Sequence, residues 1–400
     1  MIQKTQYIIT IVGISLIKHI ESKNKVIDDT EIIKRFLKSV EGKDIVMAQN
    51  DSSIMELYNK TKSIARRFLS EMSDMDYKNI SAEMTSLSKI IEHSSDKIHF
   101  FYTDTLDGEL CASLLQEYWH KKLNYECEIT KIKQLNVYSG IQFKKYGIKN
   151  LMEEIIKVVD NKNLKDERRF IINSTSGFKS IAPYLTIIAM TFGIDNKYIF
   201  ERSGELLTIP PLPFRLDFDI IINNIEFLKF IDREIQIKSS DIRKYVPNED
   251  IKNFIISSLL IEVEKQTYEL SAFGLLLWEN FKKKTGIVNI TNELKKQLES
   301  SDKLTINIFE NNVIKLFDPQ FRNLSIHSWQ NYDGDYIIAK TSGGNRLTRF
   351  VYYFDMQSNK LYIRYFFIDD HDEYERKTSK TLENKFDKKL FSDIYEINFE

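Results

Sequence analysis

Asn173-Ser174-Thr175-Ser176-Gly177, followed by Phe178 and Lys179, is a run of residue types suited to holding an anion. An apolar segment, Phe170-Ile171-Ile172, leads into it, and Phe178, Ile181, Leu185, Ile188 and Phe192 then recur at helical spacing. Residues 171–192 therefore read as strand, tight polar loop and helix. Backbone N–H groups at a helix start carry partial positive charge, and Lys179, in the expected first turn, adds a full one. A phosphate is the natural guest of such a loop. The same residues also suit an ordinary capped turn, and Pro183 requires the helix to start late or to kink.

Two more polar loops follow apolar runs: Gly13-Ile14-Ser15 after residues 6–12, and Thr103-Asp104-Thr105 after residues 97–103. A different chemistry gathers near the end of the chain. After Trp329 the pattern turns to period two, and residues 335–340, 346–355 and 360–368 read as three strands joined by short turns. Between Tyr336 and Phe366 the cations are Lys340, Arg346, Arg349, Lys360 and Arg364, against Asp355 alone. A basic, aromatic-rich antiparallel sheet in an otherwise neutral chain is the footprint of RNA. Its plain alternative is a sheet with one solvated, charged face.

Elements must position these groups. Strands at residues 6–12, 97–103, 125–132, 170–173 and 198–200 alternate with helices, among them residues 52–70, 84–91 and 148–159. Residues 44–47 (DIVM) read as a further short strand fragment. This alternation predicts a mostly parallel, doubly wound α/β sheet. Ligands of such sheets sit outside the C-terminal strand ends, where all three polar loops fall. Three of the six prolines lie within residues 210–213 and end this half. Residues 221–300 then read helix–strand–helix, with residues 238–248 as a linker and residues 271–284 as a Ser-capped, lysine-ended helix. That order suggests a small winged-helix module. Its helix is apolar through Leu275, Leu276, Leu277 and Trp278, which points to a dimerising connector rather than a DNA reader.

The 400 residues carry a net charge of −1, so any nucleic-acid surface must be local. Cys111 and Cys127 follow no metal or disulfide spacing and read as core thiols of a reducing, cytoplasmic setting. No apolar run approaches the roughly 18 residues of a membrane span. No metal site is expected.

Taken together, N-S-T-S-G-F-K, S-A-E, T-D-T-L-D-G, F-E-R-S-G-E-L and I-P-P-L-P resemble a CARF domain over about residues 1–220. These domains are the cyclic-oligoadenylate sensors of type III CRISPR systems, and they act as dimers with a ring-shaped ligand across the two-fold axis. The resemblance implies a homodimer and a doubly wound, Rossmann-like sensor. Its ligand, the activator and the only small-molecule partner expected, is cyclic tetra-adenylate or a related ring. It implies ligand contacts from Gly13, Ile14, Ser15, Thr103, Thr105, Thr175, Ser176, Gly177, Phe178 and Lys179.

The C-terminal order R-L-T-R-F-V-Y-Y, hairpin, H-D-E-Y resembles the RelE-type mRNA interferases over roughly residues 300–376. That likeness implies an α+β domain with an antiparallel sheet at residues 301–400, after a connector at residues 221–300. It implies ribosome-dependent, metal-independent cleavage of mRNA by attack of a ribose 2′-OH on the adjacent phosphate. Arg349 matches the family's strand arginine, and His371 and Tyr374 match its C-terminal polar pair. Arg346 and Lys340 are added by strand pattern. His371 is the natural acid or base because imidazole titrates near neutrality. A competing motif, Arg322-Asn323-Leu324-Ser325-Ile326-His327, has the R-N-x-x-x-H form of HEPN ribonucleases, which place Arg322 and His327 on one helix. A third alternative is a CARF–winged-helix transcription regulator with an inert C-terminal sheet.

Overall fold

The computed structural model describes residues 5–72, 76–136, 138–160, 168–175, 177, 179–200, 204–212, 219–245, 259–325, 335–343, 346–381 and 385–399. The chain divides into two compact units, Met1–Phe214 and Arg215–Glu400.

In the first unit, strand β1 (Thr5–Val12) is buried along almost its whole length. It is followed by α1 (Ser15–Lys23), α2 (Ile27–Val40), α3 (Ile45–Gln49), α4 (Ser52–Ser70) and α5 (Ala82–Ile90). Next come β2 (Lys97–Thr103), α6 (Leu106–Glu117), β3 (Glu126–Ile132), α7 (Ile148–Val159), β4 (Arg168–Asn173), α8 (Ala182–Phe192), β5 (Asp195–Ile199) and β6 (Leu206–Ile209). The sheet order is β3-β2-β1-β4-β5-β6, parallel except for the β6 edge. Ile8, Val12, Ile98 and Phe100 enter one apolar cluster with the helices. The intervening Ile9, Ile11 and Phe101 are buried as well. A parallel sheet covered on both faces needs strands of this near-continuous apolar kind.

Local chemistry overrides the strand expected at residues 44–47. The Asp44 carboxylate accepts from Met47 N at 2.8 Å and caps α3, so this segment is helical although Ile45 and Val46 are β-prone. Gly13-Ile14-Ser15-Leu16, expected as a loop, is already helical from Ser15. Helix α8 starts at Ala182, with Pro183 in its first turn, where proline is tolerated. Lys179 therefore lies in the turn before the helix rather than in its first turn.

After a short helical turn at Asp219–Asn223, the second unit continues with α9 (Ile225–Glu234), β7 (Ile237–Lys238) and α10 (Ser239–Tyr245), the last two in place of the expected linker. A hairpin of β8 (Leu260–Glu264) and β9 (Thr267–Leu270) joins β7 in a three-stranded sheet of order β7-β9-β8. Helix α11 (Ala272–Thr285) is capped by Ser271, whose hydroxyl accepts from Gly274 N at 2.9 Å. Then follow β10 (Ile287–Ile290), α12 (Asn292–Glu299), α13 (Lys303–Lys315), α14 (Pro319–Ser325), β11 (Ile337–Gly343), β12 (Arg346–Asp355), β13 (Lys360–Ile368), α15 (His371–Thr381) and β14 (Asp393–Glu396).

The second sheet has order β11-β12-β13-β10-β14, with β10 parallel to β13 and the other pairs antiparallel. One apolar cluster runs from Ile221 and Ile225 through Trp278 and Phe281 to Phe350, Ile363 and Ile397. Residues on both sides of position 300 thus share a core. Phe309 of α13 packs on Phe350 and Phe366, ring centroids 5.9 and 5.1 Å away, on one face of this sheet. The other face carries a second cluster of Tyr336, Ile338, Val351, Tyr362, Phe367, Tyr374 and Phe391.

Candidate functional site

In the first sheet, the order 3-2-1-4-5 reverses direction between β1 and β4. The chain leaves those two neighbouring strands toward opposite sides, which opens a crevice at their C-terminal ends. The two loops at that crevice nearly touch. A Cβ on Gly13 would stand 3.2 Å from Gly177 Cα. Gly177 itself has φ +87°, and a Cβ there would stand 3.0 Å from Ile11 Cγ2. Both positions need glycine, Gly177 for its left-handed backbone as well as for space.

Glu83 anchors this crevice. It is fully buried, accepts from Gly13 N at 2.8 Å through one oxygen and from the Ser15 hydroxyl at 2.7 Å through the other. Ser15 Oγ in turn accepts from Ala82 N at 3.2 Å. The Gly13 N–H and the Ser15 hydroxyl proton are therefore spent inside the protein. Thr175 is similarly engaged, its hydroxyl accepting from Ile199 N at 2.9 Å and its N–H donating to Asn173 Oδ1 at 3.2 Å. The hydroxyls of Thr103 and Thr105 bond each other at 2.8 Å, and Thr105 caps α6. These hydroxyl residues shape the crevice through its walls. Ile14 lines a cavity of about 380 Å³ with Lys18, Lys34, Lys38, Tyr138, Glu21 and Glu41. Burial, then the Asp107 carboxylate, pushes the Tyr138 phenol up to about 12. Lys179 is exposed, while Ser176 and Phe178 lie outside the described residues.

In the second unit, Arg349 lies on β12 directly opposite Lys340 of β11 and Phe367 of β13. Directly opposed residues share a face, so Lys340, Arg349 and Phe367 all lie on the side that α15 covers. Arg349 is 5% exposed, and its guanidinium stands 4.8 Å over the Tyr374 ring. Among the described residues its Nε has no hydrogen-bond partner, and no carboxylate forms an ion pair with it. Arg364 repeats the arrangement on β13, 8% exposed, 5.2 Å over Tyr336 and 5.4 Å over Tyr365. Two buried guanidiniums resting on phenol rings concentrate positive charge on this face of the sheet.

Arg349 and Tyr374 are thus brought together, with Lys340 exposed beside them. Arg346 is not. It stands three residues before Arg349, hence on the opposite face of β12, and its charge reaches Asp302. The backbone bond from Thr305, followed by smaller effects including Arg346, holds the Asp302 carboxyl below its usual value. His371 begins α15, and its side chain is outside those described. Arg322 is buried, donates to the Leu316 carbonyl at 2.8 Å and stacks 3.8 Å over Phe354, which is a packing role. His327 lies outside the described residues.

Sequence reading did not single out Glu83 or Arg364 as site residues. The signal for Arg364 was present, as an arginine inside the aromatic run KLYIRYFFI. Glu83 gave no local sign of its tertiary partners. Among the described residues there is no group of three or more His, Cys, Asp or Glu able to hold a metal ion. Among them too, no helix is long and apolar enough to cross a membrane.

With that geometry in view, residues 78–212 match the model of a CRISPR-associated protein family, Cas_APE2256. The matched stretch contains Glu83, Thr103, Thr105 and Gly177, so the first unit is similar to that family where most of its crevice is built. No curated protein matches the chain in sequence. Among solved structures, Can2 from Sulfobacillus thermosulfidooxidans in complex with cyclic tetra-adenylate is 11% identical, with 67% of this chain and 69% of that one covered and a TM-score of 0.21. Protein VC1899 from Vibrio cholerae is 11% identical, with 67% and 72% covered and a TM-score of 0.22.

Proposed function

We propose that this chain is a CRISPR-associated effector in which a cyclic oligoadenylate, taken as cyclic tetra-adenylate, switches on RNA cleavage by the second unit. The close approach of Gly13 and Gly177 at the strand-order reversal carries the sensor half of this reading, because it brings two small-residue loops together at the mouth of the crevice. The match of residues 78–212 to a CRISPR-associated family supports it. A ring ligand contacting two such crevices implies a homodimer.

For cleavage, the supporting observation is the buried Arg349, whose Nε has no hydrogen-bond partner among the described residues. In the proposed mechanism a ribose 2′-oxygen attacks the adjacent phosphorus, the P–O5′ bond breaks, and a 2′,3′-cyclic phosphate and a 5′-hydroxyl form. Arg349 and Lys340 hold the negative charge that grows on the phosphorane oxygens, and no metal is required. Tyr374 fixes the Arg349 guanidinium. His371 moves the proton, and mRNA on the ribosome is the proposed substrate.

The test uses the full chain with and without cyclic tetra-adenylate, on translating ribosomes and on free single-stranded RNA. Ligand-stimulated cuts in ribosome-bound mRNA are expected. Ligand-stimulated cuts confined to free RNA would overturn ribosome dependence, and cuts lost in His327→Ala but kept in Arg349→Ala would move the chemistry to the HEPN-type motif. Absence of cleavage together with specific duplex DNA binding would replace the enzyme by a transcription regulator.

A further inference from the structure

The second unit holds another concave site, a cavity of about 300 Å³ formed by α9, α10, α13 and the C-terminal segment. Helix α13 packs on the Phe350 face of the main sheet, and Arg349 points to the other face. The cavity is therefore separate from the arginine site.

Three kinds of group converge on it. Phe230 and Tyr245 stack with ring centroids 5.0 Å apart and planes inclined by 24°, and Tyr245 is 43% exposed. Lys229 and Arg233 stand one helical turn apart on α9, and Lys303 faces them from the first turn of α13. Asn307 and Asn311, again one turn apart, present side-chain amides.

Three carboxylates match the three cations in number, so the cavity offers placed charges rather than a net positive field. Glu226 is exposed at the rim, and Arg233 also meets Glu234 at 3.4 Å. Glu310 is 4% exposed and forms the floor, where it accepts from the Tyr395 hydroxyl at 2.8 Å and from Asn398 N at 3.0 Å.

An aromatic platform, amides and flexible cations are the groups that recognise, in turn, a base face, a base edge and a phosphate. A cavity near 300 Å³ lies at the lower end of the small-ligand range of about 300–1,000 Å³, enough for one nucleotide. We propose that this cavity binds a phosphorylated nucleoside, free or as one residue of a single-stranded RNA, independently of the arginine-bearing face.

The experiment titrates the full-length protein with uridine 5′-monophosphate and with fluorescein-labelled hexauridylate, both without adenine so that the first unit's crevice is not the target. Both probes should bind the parent and Lys60→Ala, a surface-charge control on the first unit, alike. Both should weaken about tenfold or more in the Lys229→Ala/Arg233→Ala double variant, whose two lost cations each make charge-assisted bonds. Phe230→Leu, which keeps an apolar side chain, should weaken them without lowering the melting temperature. Hexauridylate binding much tighter than the mononucleotide identifies RNA as the source, and equal or weaker binding identifies a free nucleotide. No binding of either probe at millimolar concentration would overturn the proposal. So would affinity that falls in Arg349→Met and is unchanged in the folded double variant.

Discussion

Replacing Arg349 by methionine should stabilise the second unit while removing the proposed cleavage activity. Methionine keeps the length and flexibility of the side chain and deletes the charge. Arg349 is 5% exposed, and among the described residues it has no carboxylate partner and its Nε has no hydrogen bond. Holding an ion away from water costs several kcal/mol, and a desolvated cation–π contact such as that with Tyr374 returns about 2. The difference leaves roughly 1–3 kcal/mol working against the folded state. For a unit of this size each kcal/mol moves the midpoint by about 2–4 °C, so a rise of roughly 2–12 °C is expected. Cleavage should fall about 10²–10³-fold, as when one charge-stabilising donor is lost. Calorimetry and ligand-stimulated cleavage on one preparation read both quantities. A melting temperature several degrees below the parent's would refute the reasoning, because the guanidinium would then be held by contacts stronger than its desolvation. Cleavage within tenfold of the parent's would remove Arg349 from the reacting phosphate.

Glu83→Ala strips the acceptors from Gly13 N and Ser15 Oγ, so stability should drop about 1–3 kcal/mol, and oligoadenylate affinity should fall with it. Unchanged affinity in calorimetric titration would exclude the β1 loop from the ligand site. Burial pushes the His99 imidazole down to about 4, from an ordinary value of 6.5. The unfolded chain therefore takes up the proton first as pH falls, and stability present above pH 6.5 is lost between about 6.5 and 4, roughly 3 kcal/mol in full. Urea midpoints between pH 7 and 4.5 should fall less steeply in His99→Gln, and an identical slope would show that another group titrates there. Trp278 is fully buried and stacks on Phe281 at 5.8 Å, so Trp278→Ala should cost about 3–5 kcal/mol, read by denaturant unfolding. A folded, normally stable variant would instead make Trp278 a candidate for coupling ligand binding to cleavage.

The loops of the first sheet were legible because small hydroxyl residues and glycine after an apolar run leave few alternatives. Arg349 was legible as a strand residue from the period-two pattern, while its association with Tyr374 came only from the resemblance. What was not legible depended partly on local capping and proline chemistry and partly on side chains far apart in sequence. Asp44 decided residues 44–47 by capping, against the β preference of Ile45 and Val46. Pro183 shifted the helix start beyond Lys179. Arg346 and Arg349 look alike in sequence, and only their odd spacing on one strand separates their faces. Glu83 appears as one acidic residue at a helix start until the sheet brings Gly13 and Ser15 onto its two oxygens.

The parallel pairing of β10 with β13 bears on how the chain emerges from the ribosome. Ile290 ends β10, and its neighbour β13 begins only at Lys360. At about 5–20 residues per second, that strand waits roughly 4–14 s for its partner. It also waits for β14, which arrives later still and closes its other edge. During this interval Val288 and Ile290, both fully buried in the finished protein, have no sheet to enter. A nascent apolar strand with two open edges is a template for joining another chain. Helices α12 and α13, made directly after β10, are the first elements able to shelter it. A fragment begun at residue 301 would lack β10 altogether and would expose the edge of β13 to the same hazard.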